Sequence, residues 1–505
     1  MRTLMKHTKP LYFCVLSCLA GVAYAADRPN ILFIAMDDMR PEMGAYGVKE
    51  IRTPNLDRIA QNGMTFNRAY VQQAVCSPSR SSVMTGTRPD TTKVWDLVTN
   101  FRQALPDVVT LGQHFKQNGY FVQGMGKIYH GGYNDEATWS TPWVTPAAPK
   151  YAAELNSPAA KVKAEIDPDD LPEGAKKPGA NGKSKYRGPV LEMADVPDNT
   201  FTDGKVADLA ISSLSTLRDK KTPFFLAVGF IRPHLPFVAP KKYWDMYDPA
   251  KIPMAPNRFT PKDAPSYAIR NVLSGGEVRL YKDMPEGSFP DDLARQLKHG
   301  YYASTSYMDA QIGRVMAELD RLDLRKNTIV VLWGDHGWKL GEHDGWAKHG
   351  NVENDTNAPL IIAYPGMKNA NQHTDALVEL VDLYPTITEL AGLPLPTHLE
   401  GRSFKPVLEN PAIAWKSAAF SQYPRPKMGH DKADLMGYTM RTERYRFTVW
   451  HETKDASKID AIELYDHQLD PQENTNIAKL PGNAALVERL MVQWKSGWKG
   501  ALPKS

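Results

Sequence analysis

The chain has 505 residues, of which 42% are hydrophobic and 10% aromatic. A chain of this length and composition can bury a large core, and it predicts one large domain followed by a smaller one. The formal net charge is only +4 at pH 7. This balance excludes the strongly basic surface of a nucleic-acid-binding protein, so an anionic ligand would need a local cluster of basic residues.

The first 25 residues have the pattern of a secretory signal peptide. Basic residues precede an apolar run from Leu11 to Ala23, and small residues around Ala25 fit a cleavage site. The apolar run is too short to span a bilayer comfortably, and no later run is long enough for a transmembrane segment. We therefore expect residues 1–25 to be removed and the protein to be exported to the periplasm or secreted. A lipoprotein-like cleavage box at Cys18 leaves a lipid anchor as the alternative.

Four short apolar runs predict strands that are buried on both faces, which is typical of a mainly parallel sheet covered by helices on both sides. These runs are 31–36, 224–230, 328–333 and 360–364. Segments with helical periodicity lie between and after them, at 108–117, 203–217, 293–319 and 376–390. This alternation predicts the α/β class, in which ligands bind at the carboxyl ends of the strands.

Two long stretches lack such periodicity. Residues 131–199 are rich in Pro, Ala, Lys and Gly and predict an excursion from the core, either a functional rim or a disordered insert. Residues 253–290 are also irregular. Beyond about residue 394, three segments predict a short antiparallel sheet and a terminal helix, namely 436–450, 462–466 and 484–494. We therefore expect a main domain at 26–393 and a smaller subdomain at 394–505.

Charged residues follow two of the predicted strands at the point where each strand ends. Asp37 and Asp38 come after the first strand, and Asp335 and His336 come after the third. Adjacent Asp residues alone are commonly just a solvated turn, but two strand ends could bring three carboxylates together. These carboxylates would repel one another without a cation. Hard oxygen ligands favour Ca²⁺, with Mg²⁺ as the alternative, over a softer metal.

Cys76 is the only cysteine beyond the predicted signal peptide, and it opens the sequence Cys76-Ser77-Pro78-Ser79-Arg80. Exported proteins use cysteine mainly in disulfide pairs, so a lone one is either a buried apolar side chain or a reactive group. The Cys-x-Pro-x-Arg pattern resembles the maturation signature of type I sulfatases. In that family a maturation enzyme oxidises the cysteine to a formylglycine aldehyde. Pro78 also favours a helix start here, and a helix N-terminus favours a bound sulfate.

Further segments occur in the order found in that family: 28–31, 126–130, 232–236, 334–337 and 347–348. Others resemble more closely its iduronate-2-sulfatase branch: 85–90, 341–348, 421–426 and 436–438. The resemblance extends from about residue 28 into the C-terminal region and weakens in the two irregular stretches. It implies an alkaline-phosphatase-like fold, with the catalytic domain at 26–393 and the smaller subdomain at 394–505.

The resemblance implies a role for each matched residue of the site. The metal ligands are Asp37, Asp38, Cys76, Asp335 and His336. The hydrated aldehyde derived from Cys76 would attack sulfur as a gem-diol and form a sulfated enzyme intermediate.

The remaining matched residues handle protons and charge. His234 matches the acid that protonates the leaving alcohol, and His130 matches the base that drives release of sulfate. Lys127 and Lys348 match cations that contact the sulfate, and Arg80 matches the cation that holds the formylglycine hydroxyl.

Three residues near Lys348 are candidates for contact with the sugar. Trp338 and Trp346 could form a wall for it, although aromatic residues are more often part of the core. His343, like His349, is interpreted as a rim or supporting residue.

The resemblance implies an exported, calcium-dependent sulfatase that acts on a sulfated oligosaccharide or polysaccharide. The expected target is a 2-O-sulfated uronic acid residue of a glycosaminoglycan or an algal polysaccharide. A phosphodiesterase or phosphonate hydrolase of the same superfamily is one alternative. An inactive glycan-binding relative is the other, and it is disfavoured because every matched residue is present.

Overall fold

The computed structural model of the protein describes residues 28–152, 188–220, 222–269, 276–281, 283–285, 288–427 and 433–503. The predicted signal peptide at 1–25, Cys18 and much of the predicted excursion at 131–199 lie outside these residues. Within the described ranges, no helix combines the length and the apolar character needed to cross a membrane.

The strands, numbered in chain order, are β1 (Asn30–Asp37), β2 (Met64–Phe66), β3 (Ala69–Tyr70), β4 (Phe121–Gly126), β5 (Leu191–Ala194), β6 (Phe224–Pro233), β7 (Phe237–Pro240), β8 (Thr328–Gly334), β9 (Leu360–Ala363), β10 (Gln372–Thr374), β11 (Val378–Glu379), β12 (Ala418–Pro426), β13 (Ala433–Thr442), β14 (Tyr445–Glu452) and β15 (Asp455–Asp466). The helices are α1 (Pro54–Gln61), α2 (Cys76–Thr85), α3 (Pro89–Thr92), α4 (Leu111–Gln117), α5 (Thr202–Asp219), α6 (Lys241–Trp244), α7 (Asp291–Arg321), α8 (Glu353–Thr356), α9 (Leu383–Leu390), α10 (Lys405–Glu409), α11 (Ala484–Lys495) and α12 (Gly497–Gly500).

The main sheet has seven strands in the order β10-β2-β9-β8-β1-β6-β4. Strands β8, β1, β6 and β4 run parallel to one another, and β10 runs parallel to β2. Strand β9 runs antiparallel to both of its neighbours. The mainly parallel sheet is therefore confirmed. The direction of β9 was not predictable, because an apolar run buried on both faces has the same pattern in either direction.

Both faces of the sheet are covered by helices, as predicted. Ile31 and Phe33 of β1 belong to an apolar cluster that includes residues of α2, α4 and α9. Leu32 and Ile34 belong to a second cluster with residues of α1, α5 and α7. Since neighbouring side chains of a strand point to opposite faces, β1 is a central strand between two helical layers.

The prediction of a helix at 376–390 is partly wrong. Only Leu383–Leu390 is α-helical, while Val378–Glu379 forms β11 and pairs with β3. The buried carboxylate of Glu379 accepts from both Arg88 and Lys416. These long-range contacts fix the segment as a strand, and its local helical pattern could not reveal them.

The C-terminal region forms the predicted antiparallel sheet. Its four strands follow the order β12-β13-β14-β15, and every neighbouring pair is antiparallel. Helix α11 packs on this sheet through Leu490, which contributes to an apolar cluster with Phe447 and Leu464. The domain boundary between residues 393 and 394 stays a prediction.

Candidate active site

Charged residues lie at the carboxyl ends of four parallel strands of the main sheet. Strand β1 ends on Asp37, β8 is followed by Asp335, β6 by His234 and β4 by Lys127. The turn from β4 to Lys127 requires Gly126, whose φ is +70°. A Cβ at this position would lie 2.0 Å from the Gly229 carbonyl oxygen. Only glycine can leave β4 this way without moving β6.

Cys76 is the first residue of α2, and the whole helix is buried. Its Sγ lies 3.5 Å from Asp37 Oδ1 and 3.3 Å from His336 Nε2. Ser79, one turn later, donates to the Asp335 carbonyl at 2.5 Å and ties the helix to the end of β8. Burial, followed by the charge of Asp37, raises the pKa of the Cys76 thiol well above its usual value. The unmodified thiol is therefore a poor nucleophile at neutral pH.

The predicted metal ligands meet around Cys76. One ligand atom from each of Asp37, Asp38, Cys76 and His234 lies within 4.8 Å of the others, and the same holds for Cys76, Asp335 and His336. His336 Nδ1 donates to the Gly337 carbonyl at 2.9 Å. The lone pair of Nε2 therefore faces Asp38, whose Oδ1 is 3.3 Å away. Three carboxylates and one oriented imidazole form a donor set that fits a hard divalent cation.

Basic side chains already compensate these carboxylates, which corrects the expectation that the carboxylates would simply repel one another. Arg80 donates to Asp335 Oδ2 at 2.8 Å and to Asp37 Oδ1 at 2.9 Å. Lys127 Nζ lies 2.7 Å from Asp37 Oδ2, and Lys348 Nζ lies 2.9 Å from Asp38 Oδ1. The sequence could not show these pairs, because the lysines lie far along the chain from both Asp residues.

The two adjacent carboxylates differ in their electrostatic environment. Burial favours the neutral form of Asp37, but the charges of Lys127 and Arg80 outweigh it and hold the pKa well below its usual value. Burial raises the pKa of Asp38 well above its usual value, and Lys348 only partly offsets this. A further positive charge would therefore stabilise the ionised form of Asp38 more than that of Asp37.

His234 is held rigidly just beyond β6. Its Nδ1 donates to the Leu235 carbonyl at 2.7 Å, and its own carbonyl accepts from Arg232 at 2.8 Å. Nε2 lies 3.8 Å from Asp38 Oδ2 and 4.0 Å from Glu277 Oε1. Carboxylates near Nε2 favour a proton there, so the geometry suits a group that donates a proton into the site.

His130 has a different environment. Its side chain is buried, and its ring stacks on Tyr133 with ring centroids 6.3 Å apart. Burial, followed by the charge of Lys127, lowers the pKa of His130 well below its usual value. The imidazole is therefore neutral at pH 7 and able to accept a proton.

Glu277 is a residue of this cluster that sequence reasoning missed. It is buried, and its Oε2 lies 3.3 Å from Lys348 Nζ. It comes from the irregular stretch 253–290, where neither a strand end nor a motif marked it. A lone Glu in a segment without periodicity carries no signal of its position in space.

The three candidate sugar-contacting residues are all buried. Trp338 and His343 are 0% exposed, and Trp346 is 2% exposed. Both Trp rings belong to an apolar cluster with Tyr301 and Tyr302, and Trp338 also lies under Lys348 Nζ at 5.3 Å. These contacts are those of core residues, and contact with a sugar stays a prediction for all three.

The chain is similar to known protein families. The sulfatase family model matches residues 29–393, and a model of the C-terminal region of N-sulphoglucosamine sulphohydrolase matches residues 341–497. Iduronate 2-sulfatase of Mus musculus is 35% identical to the chain, over 95% of this chain and 96% of the relative. Iduronate 2-sulfatase of Homo sapiens is 33% identical, over 92% and 94%.

Solved structures show the same fold at lower sequence identity. The BT4656 protein in complex with its substrate D-glucosamine-2-N,6-O-disulfate has a TM-score of 0.73 and 24% identity, covering 94% of this chain and 98% of that chain. The phosphonate monoester hydrolase of Agrobacterium radiobacter has a TM-score of 0.72 and 22% identity, covering 93% and 95%. The fold is thus the alkaline-phosphatase-like fold implied by the sequence. By its matched family model and its similarity to both iduronate 2-sulfatases, the chain belongs to the sulfatase family and is a sulfuric ester hydrolase.

Proposed function

We propose that the protein hydrolyses sulfate esters of a sulfated sugar, most specifically the 2-O-sulfate of a uronic acid residue in an oligosaccharide or polysaccharide. The observation that supports this most directly is the position of Cys76. Its Sγ lies within reach of both Asp37 and His336, at the N-terminus of a buried helix, and Lys127, Lys348 and Arg80 interact with it electrostatically. This position supports the proposal that the group derived from Cys76 attacks the sulfate.

Cys76 is proposed to act after conversion to formylglycine by a maturation enzyme. The thiol itself, with its raised pKa, is poorly suited to attack at pH 7. The hydrated aldehyde would supply an oxygen nucleophile at this position. Arg80 lies one helical turn after Cys76 and is fully buried, which supports its proposed role of holding that oxygen.

The bound cation is proposed to be Ca²⁺, with Mg²⁺ as the alternative. The residues that would hold it are Asp37, Asp38, Asp335 and His336, together with the group derived from Cys76. When bound, it would supply positive charge against the sulfate oxygens. Lys127 and Lys348 would bind the sulfate and stabilise charge on it in this buried site.

The two histidines are assigned separate proton transfers. His234 has its Nε2 near two carboxylates and is proposed to protonate the leaving sugar oxygen. His130 is neutral at pH 7 and is proposed to accept the proton whose removal releases sulfate. The opposite electrostatic surroundings of the two rings support this division.

The substrate class rests on the relatives. The curated relatives at 33–35% identity are named iduronate 2-sulfatases, and they match over more than nine-tenths of the chain. Glycosaminoglycans and algal polysaccharides both contain 2-O-sulfated uronic acids and both remain candidates. The same proposal includes export, because the enzyme would act on a polysaccharide outside the cytoplasm. A lipid anchor at Cys18 is the alternative to a fully released protein.

Sulfate release tests this proposal. The chain produced together with a formylglycine-generating enzyme should release inorganic sulfate from a 2-O-sulfated uronic acid disaccharide, and the Cys76→Ala variant should not. The same preparation is assayed on phosphate diesters and phosphonate monoesters. Faster hydrolysis of these esters than of any sulfated sugar would favour the phosphonate hydrolase alternative. Binding of the sugars without hydrolysis of any ester would favour the inactive glycan-binding alternative.

A further inference from the structure

Glu277 is a buried carboxylate beside the active site to which the proposed mechanism gives no role. It lies in a short 3₁₀-helix, Gly276–Leu280, and is 7% exposed. The next residue, Val278, is 0% exposed and belongs to an apolar cluster with Leu235 and Ala347. These two residues are the chain neighbours of the proposed acid and of a proposed sulfate-binding lysine. Packing of Val278 in this cluster therefore fixes Glu277 beside the segments that carry both.

The two carboxylate oxygens of Glu277 face two different side chains. Oε2 forms an ion pair with Lys348, with 3.3 Å between Oε2 and Nζ. Oε1 lies 4.0 Å from His234 Nε2, which is beyond hydrogen-bond distance. Because charges at short range attract strongly where little water screens them, the main partner of Glu277 is Lys348.

Lys348 has a second carboxylate partner, Asp38, whose Oδ1 lies 2.9 Å from Nζ. The two carboxylates differ in their relation to the cation site. Asp38 belongs to a group of four possible ligands whose atoms lie within 4.8 Å of one another, whereas no such group in the described part of the chain includes Glu277. Asp38 would share its charge between a cation and the lysine. Glu277 would not have to, so it can hold the lysine while Asp38 binds a cation.

The ammonium group of Lys348 also contacts an aromatic ring. Its Nζ lies over the ring of Trp338, 5.3 Å from the ring centroid, and Trp338 is 0% exposed. Lys348 itself is 2% exposed. A lysine side chain is long and flexible, so a fixed position of its ammonium group depends on such contacts. The ion pair with Glu277 supplies one of them.

We propose that Glu277 is a positioning residue, which holds the Lys348 ammonium where it binds the sulfate group of the substrate and thereby sets the affinity for sulfate. The inference rests on the proposed function, because that function has Lys348 contact the sulfate. Without the charge of Glu277, the ammonium would be held by Asp38 alone among these two carboxylates. The defect should therefore appear in the binding of sulfate and not in the proton transfer that depends on His234.

Steady-state kinetics of Glu277→Gln test this role. The variant keeps the shape of the side chain but removes its charge. KM should rise about tenfold while kcat changes less than about threefold, and inorganic sulfate should inhibit about tenfold more weakly. The same changes are expected with a sugar sulfate and with an activated aryl sulfate, unlike those expected on loss of His234. Glu277→Asp, which keeps the charge on a shorter side chain, should recover part of the loss.

A second series of variants shows whether Glu277 acts through Lys348. Sulfate binding is measured as the rise in Tm with added inorganic sulfate at saturating Ca²⁺. In the Lys348→Met background, Glu277→Gln should cause no further loss of sulfate binding. Glu463→Gln is the matched control, because Glu463 is a buried carboxylate of the C-terminal sheet that accepts from Trp450 and Tyr465. It should leave KM and sulfate binding unchanged even where it lowers Tm.

Two outcomes would overturn the role given to Glu277. One is an unchanged KM and unchanged sulfate binding in Glu277→Gln, whatever its Tm. The other is a loss in the Lys348→Met background as large as in the unchanged background. A lack of sulfate release by the unchanged protein would instead contradict the proposed function, and the Tm titrations with sulfate would still decide the role of Glu277.

Discussion

The buried guanidinium of Arg80 donates from Nε to Asp335 Oδ2 at 2.8 Å, which links the helix that begins at Cys76 to the end of strand β8. Its NH2 group donates to Asp37 at the end of β1. The same side chain therefore joins three elements of the site and balances two carboxylates that are 0% exposed.

Replacement of Arg80 should be strongly destabilising. Arg80→Met leaves Asp37 and Asp335 without their shared partner, and loss of one partner from a buried ion pair typically costs ~3–5 kcal/mol. Urea denaturation should show this loss in the free energy of unfolding. Arg321→Met is the matched control, because Arg321 pairs with Glu318 on the surface and its side chain is 65% exposed. That variant should unfold like the unchanged protein, and equal stability of both variants would contradict the role given to Arg80.

Replacement of His234 and replacement of His130 should slow turnover at different steps. His234→Ala should lower turnover of a sugar sulfate by about 10²–10⁴-fold, and much of this rate should return with an activated aryl sulfate, whose leaving group needs little protonation. His130→Ala should not be rescued by the aryl sulfate, since its defect follows departure of the alcohol. A single burst of phenol with sulfate retained on the protein is expected, detectable by intact mass. Equal defects on both substrates, without retained sulfate, would show that the two roles are assigned wrongly.

Removal of divalent cations should abolish turnover while the fold persists. A ligand that binds the folded state alone raises its stability, so thorough chelation should lower Tm, and added Ca²⁺ should restore both Tm and activity. The protein should still unfold cooperatively without the cation, because Arg80, Lys127 and Lys348 already pair with the three carboxylates. Full activity after dialysis against excess chelator would rule out a role for the cation.

A pH-dependent contribution to stability comes from Asp309, away from the active site. Its carboxylate accepts from the backbone N–H groups of Asn55 and Leu56 at the start of α1. Burial raises the pKa of Asp309 from 3.8 to about 6. Between these two values the folded protein binds more protons than the unfolded chain, so this group contributes stability at low pH that is lost as pH rises through about 6.

Asp309→Asn should remove that dependence. Relative to the unchanged protein, the variant should gain about 2 kcal/mol of unfolding free energy between pH 4.5 and pH 7. Urea titrations of both proteins at the two pH values measure this difference directly. A difference that is the same at both pH values would mean that Asp309 titrates alike in the folded and unfolded states.

The sequence allowed us to predict several residues that the structure brings together, because these residues carry signals that depend on their position. Asp37 and Asp335 directly follow apolar strands, and parallel strands end at one edge of a sheet, so their meeting could be expected. Cys76 was marked by its rarity and its surrounding pattern. Each of these signals is local in sequence.

The parts that could not be predicted depend on contacts between distant residues. Glu277 enters the site from an irregular segment, and the ion pair between Lys348 and Asp38 joins residues 310 positions apart. Trp338 and Trp346 are predicted to form a wall for the sugar, and the sequence did not show that both rings pack in an apolar cluster. The burial of these rings depends on packing between distant residues, which the local sequence does not show.

The most direct test of the account is whether sulfate release requires an aldehyde at position 76. The purified protein is digested, the peptide containing Cys76 is weighed by mass spectrometry, and sulfate release from a 2-O-sulfated uronic acid disaccharide is measured on the same preparations. The rate should rise in proportion to the aldehyde fraction across preparations made with and without a formylglycine-generating enzyme. Full activity in a preparation whose Cys76 peptide is entirely thiol would contradict the account.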